Sequence, residues 1–312
     1  MKNFVLLGLI LIVVGAIGVV VFLDDVFKTF TIYEEKTISA EQFNKIEIET
    51  TSTDVQIIPT VNDEISIIIN GEASKKFEDL LKLDVQENGD ALEIKLKQKN
   101  AFHIGIMINS VDLQVGVPQK LYESFEVEAL SGDIEAERLK SEYLNLSVGS
   151  GNIEIEGLQS SEVELSTTSG DINAKDGIVT SNMIIDALSG DIEAENITTN
   201  SLTMEVSSGD IDSINNIVKS SSYETLSGNI VIYNNELKGD IKAKTTSGDI
   251  EIDLEQENES FSFDLRAFSG DVDVKKEGNL FEEKSDSKAI GKVGSGEYII
   301  EANTTSGNIT LK

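Results

Sequence analysis

Apolar and polar residues alternate along most of this chain, and the alternation restarts at a nearly constant interval. Each restart is marked by a tetrad, Ser-Gly-Asp/Asn-Ile/Val, at residues 131–134, 150–153, 169–172, 189–192, 208–211, 227–230, 247–250, 269–272 and 306–309. The tetrad glycines are Gly132, Gly151, Gly170, Gly190, Gly209, Gly228, Gly248, Gly270 and Gly307, spaced by 19, 19, 20, 19, 19, 20, 22 and 37 residues. The last gap is nearly two periods and holds a degenerate copy at 295–298. Four and two residues before each serine stand apolar or small side chains such as Leu146 and Val148, Leu165 and Thr167, Ile185 and Ala187, with polar residues between them. Beyond the glycine the pattern resumes: Ile134, Ile153, Ile172, Ile192, Ile211, Ile230, Ile250 and Val272 alternate with Glu135, Glu154, Asn173, Glu193 and Asp212. Period-two alternation is the mark of a half-buried strand. A further inward position is expected at Leu139, Leu158, Ile178, Ile197, Ile217 and Leu237.

Each unit therefore reads as strand, Ser-Gly corner, strand, second turn. One unit cannot cover its own apolar side, whereas stacked copies close a continuous core. The fold class that follows is all-β: a single-stranded, β-helix-like solenoid of about 19–20 residues per coil. Glycine suits the corner because it tolerates positive φ and close backbone approach, and Asp or Asn beside it bonds nearby backbone groups. Residues 45–128 carry strands at less regular spacing and a worn tetrad at 51–55, and read as an N-terminal β region capping a solenoid of residues 129–312. A short helix or loop is expected over 77–82 and a polar loop over 275–294.

The first residues break this pattern. Residues 4–23 form an uncharged apolar run, long enough to cross a bilayer as a helix. Lys2 precedes it and Asp24 and Asp25 follow, which orients residues 1–3 as a cytoplasmic stub and places the bulk outside the cell. Residues 24–44 then serve as linker and leading strand. A cleaved signal peptide is the rival account, with a small-residue site at 16–18 inside the run.

Charge and composition narrow the chemistry. With 56 acidic against 25 basic residues the net charge is −31, which opposes binding to nucleic acid and favours cations. The chain has no cysteine, so disulfides, thiolate metal sites and thiol nucleophiles are excluded. Absent tryptophan and 6% aromatics leave little for a sugar-stacking platform. The one histidine, His103, cannot form a multi-histidine metal site. Carboxylates spread evenly along a rod do not make the matched pair that glycoside hydrolysis requires, so no catalytic residues and no cofactor are assigned. Asp171, Asp191 and Asp210 would stack on consecutive coils, where Ca²⁺ could relieve their repulsion; ordinary turn chemistry is the competing account. Lys242, Lys244 and Arg266 are expected to form a small basic group on adjacent coils beside Glu224 and Asp264.

The stretch 111–172, with its Val117-Pro118 turn, the Leu121-Tyr122 pair and successive Ser-Gly-Asp-Ile tetrads, resembles the bacterial β-strand-repeat "putative adhesin" family that includes LiaG-like cell-envelope proteins. The resemblance covers about residues 45–312. It implies a membrane-anchored surface protein engaged in adhesion or envelope-stress sensing, with an envelope polymer or protein as partner, and it carries over no catalytic residues. A polysaccharide-active β-helix enzyme and a structural scaffold of a membrane complex are the alternatives.

Overall fold

The computed structural model describes residues 29–312, apart from 76–77, 79–80, 99–108, 235 and 256–259. The apolar run 4–23 and His103 lie outside the described residues. Among the described residues no helix is long and apolar enough to cross a membrane.

The alternating segments form strands that stack into two facing sheets. Each coil contributes a long strand to one sheet and a short strand to the other, as in Lys140–Ser150 followed by Ile153–Glu156 and Gln159–Ser169 followed by Ile172–Lys175. Successive coils pair in parallel and in equivalent register: Leu146 faces Leu165, which faces Ile185, then Met204, Tyr223 and Ala243. The short strands repeat this with Ile134, Ile153, Ile172, Ile192, Ile211, Ile230 and Ile250. Those side chains point between the sheets and are almost fully buried, so the core is one continuous spine. Both sheets contain eleven parallel strands, and at about 4.8 Å per strand the rod is about 50 Å long.

Departures from the 19-residue period are absorbed locally. The extra residue between Gly170 and Gly190 becomes a register shift after Val179, so that Ser160 faces Val179 while Glu162 faces Asn182. The last inward position of each coil differs from expectation at two places. Ile178 and Ile217 are exposed, and the inward row runs through Leu139, Leu158, Gly177, Ile197, Asn216 and Leu237. Gly177 leaves room beneath the Ile197 side chain. Asn216 Oδ1 accepts the Ile197 N–H at 2.7 Å, and its Nδ2 donates to the Ala194 carbonyl and to Ser213 Oγ. Ser213 in turn meets the buried Tyr223 hydroxyl at 2.9 Å. A polar side chain survives in the core here because its donors and acceptor are all engaged.

At both ends the coils leave sequence order. The strand Lys45–Ser52 lies between Ala91–Gln98 and Tyr122–Ser131, so the second coil in the chain is the outermost one. At the other end Tyr298–Ser306 lies between Asp240–Ser247 and Phe261–Ser269, placing the last coil of the chain inside the rod. The expected loop over 275–294 is instead an antiparallel hairpin, Asn279–Ser285 with Lys288–Val293, laid on the terminal coil. The degenerate copy at 295–298 is part of the connection back to the inserted coil rather than a corner of the stack. Of the expected excursion over 77–82, residues 77, 79 and 80 lie outside the described residues, Glu78 stands in a turn, and residues 81–82 already belong to a strand, Leu81–Asn88, which pairs antiparallel with Ala91–Gln98. With Thr29–Ser39 and Glu64–Ser74 it closes the other end.

The glycine corner is the most demanding point of the stack. A Cβ on Gly151, Gly170, Gly190, Gly209, Gly228, Gly248, Gly307 or Gly270 would lie 1.9–2.1 Å from the carbonyl oxygen of the glycine one coil back. Gly209→Ala is expected to cost about 3 kcal/mol or more in urea unfolding, since the backbone beneath cannot move without breaking register. Gly89→Ala, at a positive φ in open space, should cost only about 1 kcal/mol.

Candidate functional site

The corner residue after each glycine has a defined task. Asp133 N–H donates to Asp54 Oδ1 at 2.9 Å, Asn152 N–H to Asp133 Oδ1 at 2.7 Å, and Asp171 N–H to Asn152 Oδ1 at 2.8 Å. The ladder continues through Asp191, Asp210, Asn229, Asp249, Asn308 and Asp271, following the spatial order of the coils rather than the chain. The turn chemistry thus acts between coils: each side-chain oxygen satisfies a main-chain donor that the corner turns out of the sheet. Asp171, Asp191 and Asp210 are brought together in this row, each with one oxygen engaged. Among the described residues there is no group of three or more His, Asp or Glu side chains arranged to hold a metal ion.

The second corner, which the tetrad does not reveal, is a row of left-handed residues. Arg138, Asp176, Asn196 and Asn215 have φ of 50–56°, and Gly157 has φ 74° at the equivalent place. Each donates its N–H to a carbonyl of the next coil, as Asn196 does to Ile214 at 3.0 Å. The signal was present in the sequence as Gly, Asp or Asn six residues after a tetrad glycine; only Arg138 departs from the residue types that accept this conformation readily.

Outside, the two sheet faces are strongly acidic. Glu47, Glu126, Asn145 and Glu164 line up across the long-strand sheet, as do Glu49, Glu128, Ser147, Ser166 and Asp186. Partial burial pushes the Asp186 carboxyl above its ordinary pKa, reinforced by Glu205 and Glu164; Asp212 is raised by burial and by Glu193, Asp210 and Asp191. Basic residues are dispersed as pairs: Lys244 with Glu224, Arg266 with Asp264, Lys175 with Glu193. The expected group of Lys242, Lys244 and Arg266 does not form, because the inserted coil puts Glu301 and Asn303 between them.

A cleft of about 890 Å³ near one end is lined by Pro59, Pro118, Lys120 and Arg138 together with Glu41 and Asp63. Lys120 Nζ donates to the Ala40 and Phe43 carbonyls at 2.7 and 2.5 Å, and burial lowers its pKa. It fastens the chain there rather than facing a ligand. A smaller recess of about 240 Å³ gathers Asp54, Asp112, Asp133 and Glu135, with the Asp112 carboxyl raised by burial and by Asp54. No aromatic side chain lines either recess.

Two outcomes follow. Asp191→Ala should cost about 1 kcal/mol through loss of the acceptor for Asp210 N–H, whereas Asp191→Asn, which copies Asn152 and Asn229, should be neutral in chemical denaturation. A carboxyl whose folded pKa is raised destabilises the ionised folded state, so stability is lost as pH rises through that pKa. The midpoint of thermal unfolding should therefore rise as the pH is lowered from neutrality and these carboxyls take up protons. It should fall again once the salt-bridged Asp264 and the hydrogen-bonded Glu93, both held low, are protonated. Asp212→Asn should raise the midpoint at pH 7 and flatten the profile.

Comparison with known proteins places this arrangement. The family profile described as Toastrack DUF4097 matches residues 43–312. Among solved structures, a "putative lipid binding protein" from Parabacteroides distasonis shares 15% identity over 90% of this chain and 97% of its own, with a TM-score of 0.51. A "putative adhesin" from Bacteroides fragilis shares 13% identity over 90% and 97%, with a TM-score of 0.44. At these identities the likeness concerns the fold. No curated protein shows significant similarity to the chain.

Proposed function

The chain belongs to the Toastrack DUF4097 family, and from that footing we propose a non-enzymatic surface module, anchored by residues 4–23, that holds an acidic solenoid outside the cell against an envelope polymer or protein. The observation that carries this reading is the exterior itself: flat faces on which carboxylates recur coil after coil, with cations dispersed as pairs. Such a surface suits multivalent contact along its length, since equivalent groups repeat at the strand spacing. A polysaccharide-cleaving enzyme of β-helix form would want a cleft that sets two carboxylates across one bond beside exposed aromatics. Among the described residues the exposed aromatics Tyr33, Phe268 and Phe281 stand on different strands and line neither recess described above.

Tethering also fits the geometry of the described chain. Thr29–Ser39 is the edge strand at one end of the 13-stranded sheet, so an anchor on its N-terminal side would hold the rod by that end.

The absence of cysteine makes a topological test direct. Thr168→Cys, on an exposed position of the long-strand face, supplies a single thiol. Intact cells carrying this variant should react with a membrane-impermeant maleimide as fully as lysed cells do. Labelling that appears only after lysis overturns the external placement.

A further inference from the structure

The last coil of the chain fills a slot. Tyr298–Ser306 is hydrogen-bonded on one side to Asp240–Ser247 and on the other to Phe261–Ser269. Its short strand, Ile309–Leu311, lies likewise between Ile250–Leu254 and Val272–Val274. Ile300, Ala302, Ile309 and Leu311 are fully buried there. The chain therefore lays down residues 240–254, passes over one coil's width, builds residues 261–274 and the hairpin, and only then returns to fill the gap. Without that coil, two parallel strand edges would face each other across a space one coil wide, with unpaired main-chain groups and an apolar floor.

Nothing in the bonding of that slot identifies the coil as belonging to the same molecule. Its contacts are main-chain hydrogen bonds, aliphatic packing, the corner ladder, in which Asn308 N–H donates to Asp249 Oδ1 and Asp271 N–H to Asn308 Oδ1, and three further side-chain contacts that a second copy would reproduce: Ile299 N–H to Asp240 Oδ1, Thr304 Oγ1 to the Gly248 carbonyl, and Lys312 with Glu251. The connection leading into it is exposed and contains Gly294 and Gly296, both at positive φ. It is fastened chiefly by Ser260, whose Oγ accepts from Ser295 N–H and meets Ser295 Oγ, and whose carbonyl accepts from Tyr298 N–H. A glycine-bearing lead joined to a coil with a pre-shaped acceptor is an arrangement open to strand exchange.

We propose that this slot is an interaction site for a second copy of the chain, which fills it with its own residues 298–312. The exchange is reciprocal: each molecule donates its last coil and receives its partner's, so every strand edge is paired in the assembly as it is in the single molecule. Closure within one molecule is favoured by the high effective concentration of the tethered coil, and exchange gains ground as copies are crowded together.

Cysteine trapping in the full-length chain tests this. Ser247 and Ser306 are exposed register partners on neighbouring strands, within disulfide reach. The double variant Ser247→Cys with Ser306→Cys should oxidise to an internally linked monomer, confirming the slot and its occupant. The single variants, mixed at high concentration near the unfolding midpoint, cooled and oxidised, should yield a covalent dimer containing one of each. That dimer should exceed the product of Ser247→Cys with Thr168→Cys by at least tenfold. Equal yields in the two mixtures overturn the proposal, and so does failure of the double variant to close internally.

Discussion

The structure depends on one close approach: at each Ser-Gly corner the backbone of one coil lies against the carbonyl oxygen of the residue beneath it, Thr53 under Gly132 and a glycine under every later corner. Because there is no space for a Cβ, the approach sets the stacking distance and the register together. Once a corner is seated, the neighbouring Asp or Asn reaches the main-chain N–H of the next coil, and the isoleucine that follows falls on the isoleucine below. The hydrophobic spine supplies most of the driving force, but it is tolerant of sliding; the corner is not.

That division of labour explains the composition. Inward positions accept Ile, Leu, Val, Ala, Met, Phe and even Tyr223 with Ser213, because large and small residues on facing sheets compensate in volume. The outer positions are free to carry charge, and here they carry mostly carboxylates. The cost of that choice is visible in Asp186 and Asp212, whose carboxyls are raised by partial burial and by neighbouring acids. Coil spacing brings equivalent charges close by construction, so a homogeneous acidic surface is a property of the repeat as much as of any single site.

The ends are built by a different rule. A parallel stack leaves bare strand edges, and the chain covers them with antiparallel strands drawn from the segments next to the terminal coils: Glu64–Ser74 and Leu81–Asn88 at one end, the 279–293 hairpin at the other. Building a cap while the chain is still at the rod's end requires the remaining coil to enter behind it. The displaced coil order at both ends is the topological consequence of capping a solenoid with its own sequence.

Much of this was legible in the sequence. The period, the inward and outward faces and the glycine corners follow from local constraints: alternation is a property of neighbouring residues, and a position that admits no Cβ selects glycine in any context. The task of Asp54, Asp133 and their equivalents was legible as turn chemistry, though its partner one coil away was not. Other features were decided only by the tertiary structure. The inward place at the second corner went to Gly177 and Asn216 rather than to Ile178 and Ile217, because the left-handed residue just before it, Asp176 or Asn215, sets which side chain turns into the core. The coil order went against chain order, separating Lys244 from Arg266, because main-chain hydrogen bonds and aliphatic ladders are the same between any two coils. Between residues 122 and 254 the coils stack in chain order, as short connections favour; only at the two capped ends does the sameness of the bonding let a later coil take the inner place.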